Sequence, residues 1–97
     1  MSEDVELQRE MGCTRTEFLG WLPGATRHAP VVIDGDLIRV RQEAGEVTFR
    51  IRQAPERRLG LIALPVLDVR IRFVGMDAAA RERFLQHFDL YTRRGGG

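Results

Sequence analysis

Val47-Thr48-Phe49-Arg50-Ile51-Arg52-Gln53 is the stretch that decides the fold. Val47, Phe49 and Ile51 alternate with Thr48, Arg50 and Arg52, the period-two pattern of a strand with one face buried and the other in water. A sheet of such strands needs a second layer on its apolar side, and the clearest helical signal in the chain supplies it. After Gly75 and Met76, Asp77 is a good N-cap, and Ala80, Phe84, Leu85, Phe88 and Tyr91 recur at helical spacing. The expected fold class is α+β, a two-layer sandwich. An antiparallel sheet of four or five strands carries a short N-terminal helix and a C-terminal helix on one face, in the order α-β-β-β-β(-β)-α.

Working outward from Val47, the turn at Glu43 to Glu46, with Gly45 able to take positive φ, joins this strand to Leu37–Gln42. Asp34-Gly35 is a tight-turn signal between that strand and the short apolar run Val31 to Ile33. Parity constrains the pairing: Ile38 and Val40 share a face with Val47, Phe49 and Ile51, so the connecting loop has an even number of residues. Arg39 is then expected opposite Arg50. Downstream, Leu59, Leu61, Ala63, Leu67, Val69, Ile71 and Phe73 form an apolar stripe interrupted at Pro65. One long strand bent at Pro65 and two strands joined there both fit, and the absence of a Gly, Asn or Asp turn signal beside Pro65 favours the bent strand.

Upstream, Thr14 and Glu17 have capping-box spacing ahead of Phe18, Leu19, Trp21 and Leu22, and Pro23 with Gly24 stops the pattern. The reading is a helix of about two turns, anchored by Trp21 and Phe18 and too short to stand without docking. Residues 1–10 carry Glu3, Asp4, Glu6 and Glu10 against Arg9 and are expected to be an acidic, disordered tail. Residues 11–94 form the single domain, and 95–97 a flexible glycine tail.

The chain has 97 residues, 43% hydrophobic and 30% charged, which suits one folded domain and excludes a disordered composition. One cysteine, Cys13, excludes an internal disulfide, and no stretch has the length of a membrane span or the layout of a signal peptide. A reducing, cytoplasmic setting is the expectation. The net charge of +1 conceals a bias, since all fifteen basic residues are arginine.

Strand parity sends Arg39, Arg41, Arg50, Arg52, Arg70 and Arg72 to the face away from the core, with Glu43, Glu46 and Asp68 at the strand ends. Planar guanidinium forks match carboxylates and phosphates, so this face is a candidate anion or partner surface. The plainer reading is arginine stems covering the outer face with their heads in water. Base-stacking platforms need outward aromatics, and Phe49 and Phe73 have inward parity.

Other chemistry is weakly signalled. Cys13 precedes the N-cap, where the helix dipole and Arg15 lower a thiol pKa, yet nothing places His28 or His87 beside it as a base, and an apolar packing role is the simpler reading. His87 flanks the apolar stripe of the last helix. Asp34 and Asp36 around Gly35 lack the further ligands of a calcium loop, and no protein-built metal site is expected. The terminal Arg93-Arg94-Gly95-Gly96-Gly97 is similar, over these residues alone, to the diglycine tail of ubiquitin-like and sulfur-carrier proteins, which are activated as adenylates. That resemblance implies a β-grasp fold whose tail leaves a strand, whereas this tail leaves a helix.

The functional expectation is a non-catalytic interaction module binding an acidic protein surface or an anionic ligand through the arginine face. Backbone-directed nucleic-acid binding ranks second, and a carrier or thiol enzyme using the glycine tail or Cys13 third. No cofactor and no membrane partner are expected. The chain is a monomer or a homodimer, with Val31 to Ile33 the candidate pairing edge.

Overall fold

A computed structural model of the chain describes residues 4–93. Five strands, β1 (Val5–Met11), β2 (Val31–Asp34), β3 (Leu37–Gln42), β4 (Gly45–Leu59) and β5 (Ile62–Val74), form one antiparallel sheet in the order β1-β5-β4-β3-β2. Two helices, α1 (Arg15–Ala25) and α2 (Ala78–Arg93), cover its apolar face, which makes the two-layer α+β sandwich. No helix among the described residues is long and apolar enough to cross a membrane.

The fifth strand does not come from the segment before α2. It is the acidic N-terminal stretch, so the expected tail at 1–10 is corrected from Val5 onward. Charge counting obscured an alternation: Val5, Leu7 and Met11 lie half-buried against the core, while Glu6, Gln8 and Glu10 face solvent. β1 pairs with β5 residue for residue from Val5↔Phe73 to Met11↔Leu67. Its inward Arg9 is bound by Asp89 of α2, which tethers the strand to the helix layer.

α1 begins with the expected capping box. The Glu17 backbone N–H donates to Thr14 Oγ1 at 3.1 Å, and the Thr14 N–H donates to Glu17 Oε1 at 2.9 Å. The helix runs on through Pro23 to Ala25, a turn beyond the expected stop, because proline near a C-terminus loses only one ladder bond. Its buried anchors are Phe18, Leu22 and Ala25, with Trp21 half-buried. α2 starts at the expected cap, the Ala80 N–H donating to Asp77 Oδ1 at 2.8 Å, and buries Phe84 and Phe88. The helices meet where the Tyr91 ring lies on Gly24, at which a Cβ would fall 2.2 Å from the phenol oxygen.

The core is an aromatic cluster. Phe49 of β4 stacks on Phe88 with centroids 5.3 Å apart and meets Phe18 edge-on at 5.6 Å, while Phe84 links Phe49 to Phe73. Ile38, Val40, Val47, Ile51, Leu67, Val69 and Ile71 fill the space around it from the inward sheet positions.

The β3–β4 loop is even-numbered, but it is the two residues Glu43–Ala44, with Gln42 opposite Gly45. Arg39 therefore lies opposite Thr48, not Arg50, a shift that keeps parity and adds a rung to the ladder. β5 passes through Pro65 without breaking, and the reversal occurs at Gly60–Leu61, where Gly60 has φ +62°. Leu59 thus belongs to β4, and a bulge between Ala54 and Arg57 lies across from Pro65. Beyond the last rungs with β1 and β3, β4 and β5 continue as a two-stranded arm from Ala54 to Val66, along a molecule 49 × 24 × 24 Å. Beyond Val66, which is buried at its base, its apolar residues are not core: Leu59 and Ile62 are 60% and 61% exposed, Leu64 is exposed, and Leu61 at the tip is fully so.

Candidate anion-binding face

All six outward arginines, Arg39, Arg41, Arg50, Arg52, Arg70 and Arg72, are exposed on the face opposite the helices. The register arranges them in rows across the sheet. One runs Glu6, Arg72, Thr48, Arg39 and Val32, and the next runs Gln8, Arg70, Arg50, Leu37 and Asp34. Arg52 lies across from Asp68, and Arg41 across from Glu46.

Neutralisation is uneven across these rows. Arg72 Nη2 reaches Asp4 Oδ2 at 2.8 Å, Arg52 Nη2 reaches Asp68 Oδ2 at 3.5 Å, and Arg39 Nε lies 4.0 Å from Glu46 Oε1. At the base of the arm, Arg57 Nη2 donates to Glu10 Oε1 at 3.0 Å. Asp4 and Glu10 come from the N-terminal segment, which brings acids along one edge of the arginine surface. Arg50 and Arg70 differ: they sit directly opposite each other on the central strand β4 and its neighbour β5, and among the described residues neither has a carboxylate at ion-pair distance. They line a shallow concavity of about 270 Å³ whose other walls include Glu6, Thr48 and Arg72. Arg41, across from Glu46, also has no ion pair within 4.0 Å among the described residues, but no like charge faces it. Opposed like charges cost a few tenths to about 1 kcal/mol, so the Arg50–Arg70 pair is a local destabilisation on this face.

Strand parity locates the arginines but not their partners: Asp4 and Glu10 lie in the segment whose acidity suggests a tail, although its period-two pattern Val5-Glu6-Leu7 marks a strand. The expected Arg39–Arg50 neighbours are replaced by Arg50–Arg70.

The remaining candidates are placed as follows. Cys13 is fully buried in the core, and burial, with Glu17 nearby, pushes its thiol up to about 11. A thiol held protonated and out of solvent packs as a small apolar group. In the folded protein at pH 8 its alkylation by iodoacetamide should be at least about 100-fold slower than in urea. Comparable rates in both states would show an accessible nucleophile. His87, half-buried, lies with Nε2 2.8 Å from the Gly24 carbonyl oxygen, joining the two helices beside a second crevice of about 360 Å³ lined also by Arg27 and Arg83. His28 is exposed at the end of α1 with φ +60°. Asp34 and Asp36 flank the β2–β3 turn, which Arg15 clasps through Asp36 Oδ1 at 3.2 Å and the Gly35 carbonyl at 2.7 Å. No group of three or more His, Cys, Asp or Glu is arranged to hold a metal among the described residues. Arg94 and the Gly95–Gly97 tail lie outside the described residues.

No protein-family model, curated protein or solved structure matches the chain.

Proposed function

We propose that this protein is a non-catalytic interaction module that binds an acidic protein surface through the outer face of its sheet, with Arg50 and Arg70 at the centre of the contact. The observation that carries this reading is that Arg50 and Arg70 face each other with no acid partner among the described residues, whereas Arg39, Arg52 and Arg72 each have one and Arg41, though unpaired, lies across from Glu46. A carboxylate from outside would relieve their repulsion and accept charge-assisted hydrogen bonds from both guanidinium groups. The acids Asp4, Glu6 and Glu10 bordering the arginines favour a protein partner of mixed charge over a nucleic-acid backbone, which they would repel. The absence of an aromatic residue at the outward strand positions also weighs against base stacking. The reading places the module in a reducing cytoplasmic compartment, supported by its single buried thiol.

Titration with a fluorescent oligoglutamate, beside a duplex DNA of matched length, tests this. The wild-type chain should bind the acidic peptide and weaken as salt rises, and Arg50→Thr/Arg70→Thr should bind at least about tenfold more weakly. Tighter binding of the duplex, with a steep log-log salt slope, would transfer the site to phosphate recognition. Unchanged peptide affinity in the double variant would remove Arg50 and Arg70 from the site.

A further inference from the structure

The arm formed by Ala54 to Val66 is not used by the arginine pair. Along it, neither strand has a third strand beside it among the described residues, since the β3 pairing ends at Arg50 and the β1 pairing at Leu67. Both edges therefore present backbone groups to solvent, the condition under which a strand pairs with another chain unless it is guarded. The two edges differ. The β4 edge carries Glu56, Arg57 and Arg58. The β5 edge, Ile62-Ala63-Leu64-Pro65-Val66, carries no charge at all, and neither does the turn residue Leu61 before it.

The turn sets which groups this edge offers. A two-residue turn at Gly60–Leu61 makes Leu59↔Ile62 a hydrogen-bonded pair, so Ile62 and Leu64 direct their backbone groups to β4. Alternation then points the amide of Ala63 outward, together with the ring nitrogen of Pro65, where a missing N–H costs the internal ladder nothing. Ile62 and Leu64 share a face with Leu59, and all three side chains are exposed.

We infer that the arm is a homodimerisation element, in which the β5 edge of one copy pairs antiparallel with the β5 edge of a second copy about a two-fold axis at Ala63. The register is self-complementary: Ala63 meets the partner's Ala63, and Ile62 meets the partner's Leu64. The Ala63 N–H of each copy donates to the carbonyl of the partner's Ala63, and the proline ends the new ladder. Leu59, Ile62 and Leu64 of both copies then form one apolar patch on a four-stranded ribbon. The arginines of the arm stay on its far strand, so the join sets no like charges against each other. Such a join is smaller than the roughly 800 Å² per partner of a standard interface, so the dimer is weak and dissociates on dilution. A two-fold axis perpendicular to the sheet also sets both Arg50–Arg70 pairs on the same side, giving a bivalent surface.

The other exposed apolar edge, β2 with Val32 and Ile33, is four residues long and bounded by Pro30 and Asp34, a poorer template than the uncharged arm. Sedimentation velocity over a concentration series tests the proposal. The wild-type mass should rise from 11.1 kDa towards twice that value as concentration increases, whereas Ile62→Arg/Leu64→Arg should stay at 11.1 kDa with an unchanged circular dichroism spectrum. Ala63→Cys should be cross-linked between chains by a short bismaleimide. Arg58→Cys, opposite Ala63 on the far strand, should not, and the buried Cys13 should stay silent in both. A wild-type chain that remains at 11.1 kDa up to about 1 mM, a dimer that persists in the double arginine variant, or cross-linking through position 58 rather than 63 would each overturn it.

Discussion

A chain lacking residues 1–11 is expected to lose its cooperative fold rather than a tail. β1 covers the β5 edge along seven residues, and Val5, Leu7 and Met11 add the outer margin of the core. Removing three half-buried apolar side chains and one row of strand hydrogen bonds costs about 3–5 kcal/mol. A domain of this size has only about 5–15 kcal/mol in total. The truncation also uncovers the backbone edge beside Leu67, Val69, Ile71 and Phe73, which invites aggregation. Loss of the Arg9–Asp89 pair leaves Asp89 without its partner and loosens the hold of α2 on the sheet. Urea unfolding followed by circular dichroism should show a shallow or absent transition. A shortened chain as stable as the full one would restore the tail reading for this segment.

Phe49→Ala should cost about 3–5 kcal/mol, the largest loss expected of any single side chain. Phe49 is fully buried at the point where both helices meet the sheet, with Phe18, Phe84 and Phe88 rings around it at 5.6, 6.2 and 5.3 Å. Alanine there leaves a cavity that those rings, carried on two helices and already packed on other neighbours, are unable to close. Phe49→Leu keeps much of the volume and should lose far less. Chemical denaturation reads both, and a Phe49→Ala loss below about 1.5 kcal/mol would place the centre of the core elsewhere.

Much of this fold was legible because its signals are local. The capping box at Thr14 and Glu17, the Asp77 cap and the alternation around Phe49 each specify structure within a few residues. Two features were not legible, for different reasons. In β1, Arg9 occupies an inward position and is satisfied by Asp89, eighty residues away, so the pattern reads as charge and not as a strand. In the arm, Leu59, Leu61, Ile62 and Leu64 look like core, and only the positive φ of Gly60 reveals a reversal that leaves them in solvent. Apolarity in the sequence marks what is to be covered, and it does not say whether the same domain covers it.

The candidate site shows the same division. Parity alone placed six arginines on one face, as the structure does. Which of them are compensated depends on register and on the position of β1, both of which are long-range. A two-residue difference in the length of the β3–β4 loop moved Arg39 opposite Thr48, while the reversal at Gly60–Leu61 and the bulge between Ala54 and Arg57 set the β4–β5 register that makes Arg50 face Arg70.

The claim that this pair is held without compensation inside the fold is tested most directly by the unfolding free energy of Arg50→Thr in low salt. Threonine suits a strand and removes the repulsion with Arg70. The variant should match or exceed the wild type by a few tenths to about 1 kcal/mol, with the same denaturant dependence. A loss of more than about 1 kcal/mol would contradict the account, because it would mean that Arg50 is tied into the fold by interactions of its own.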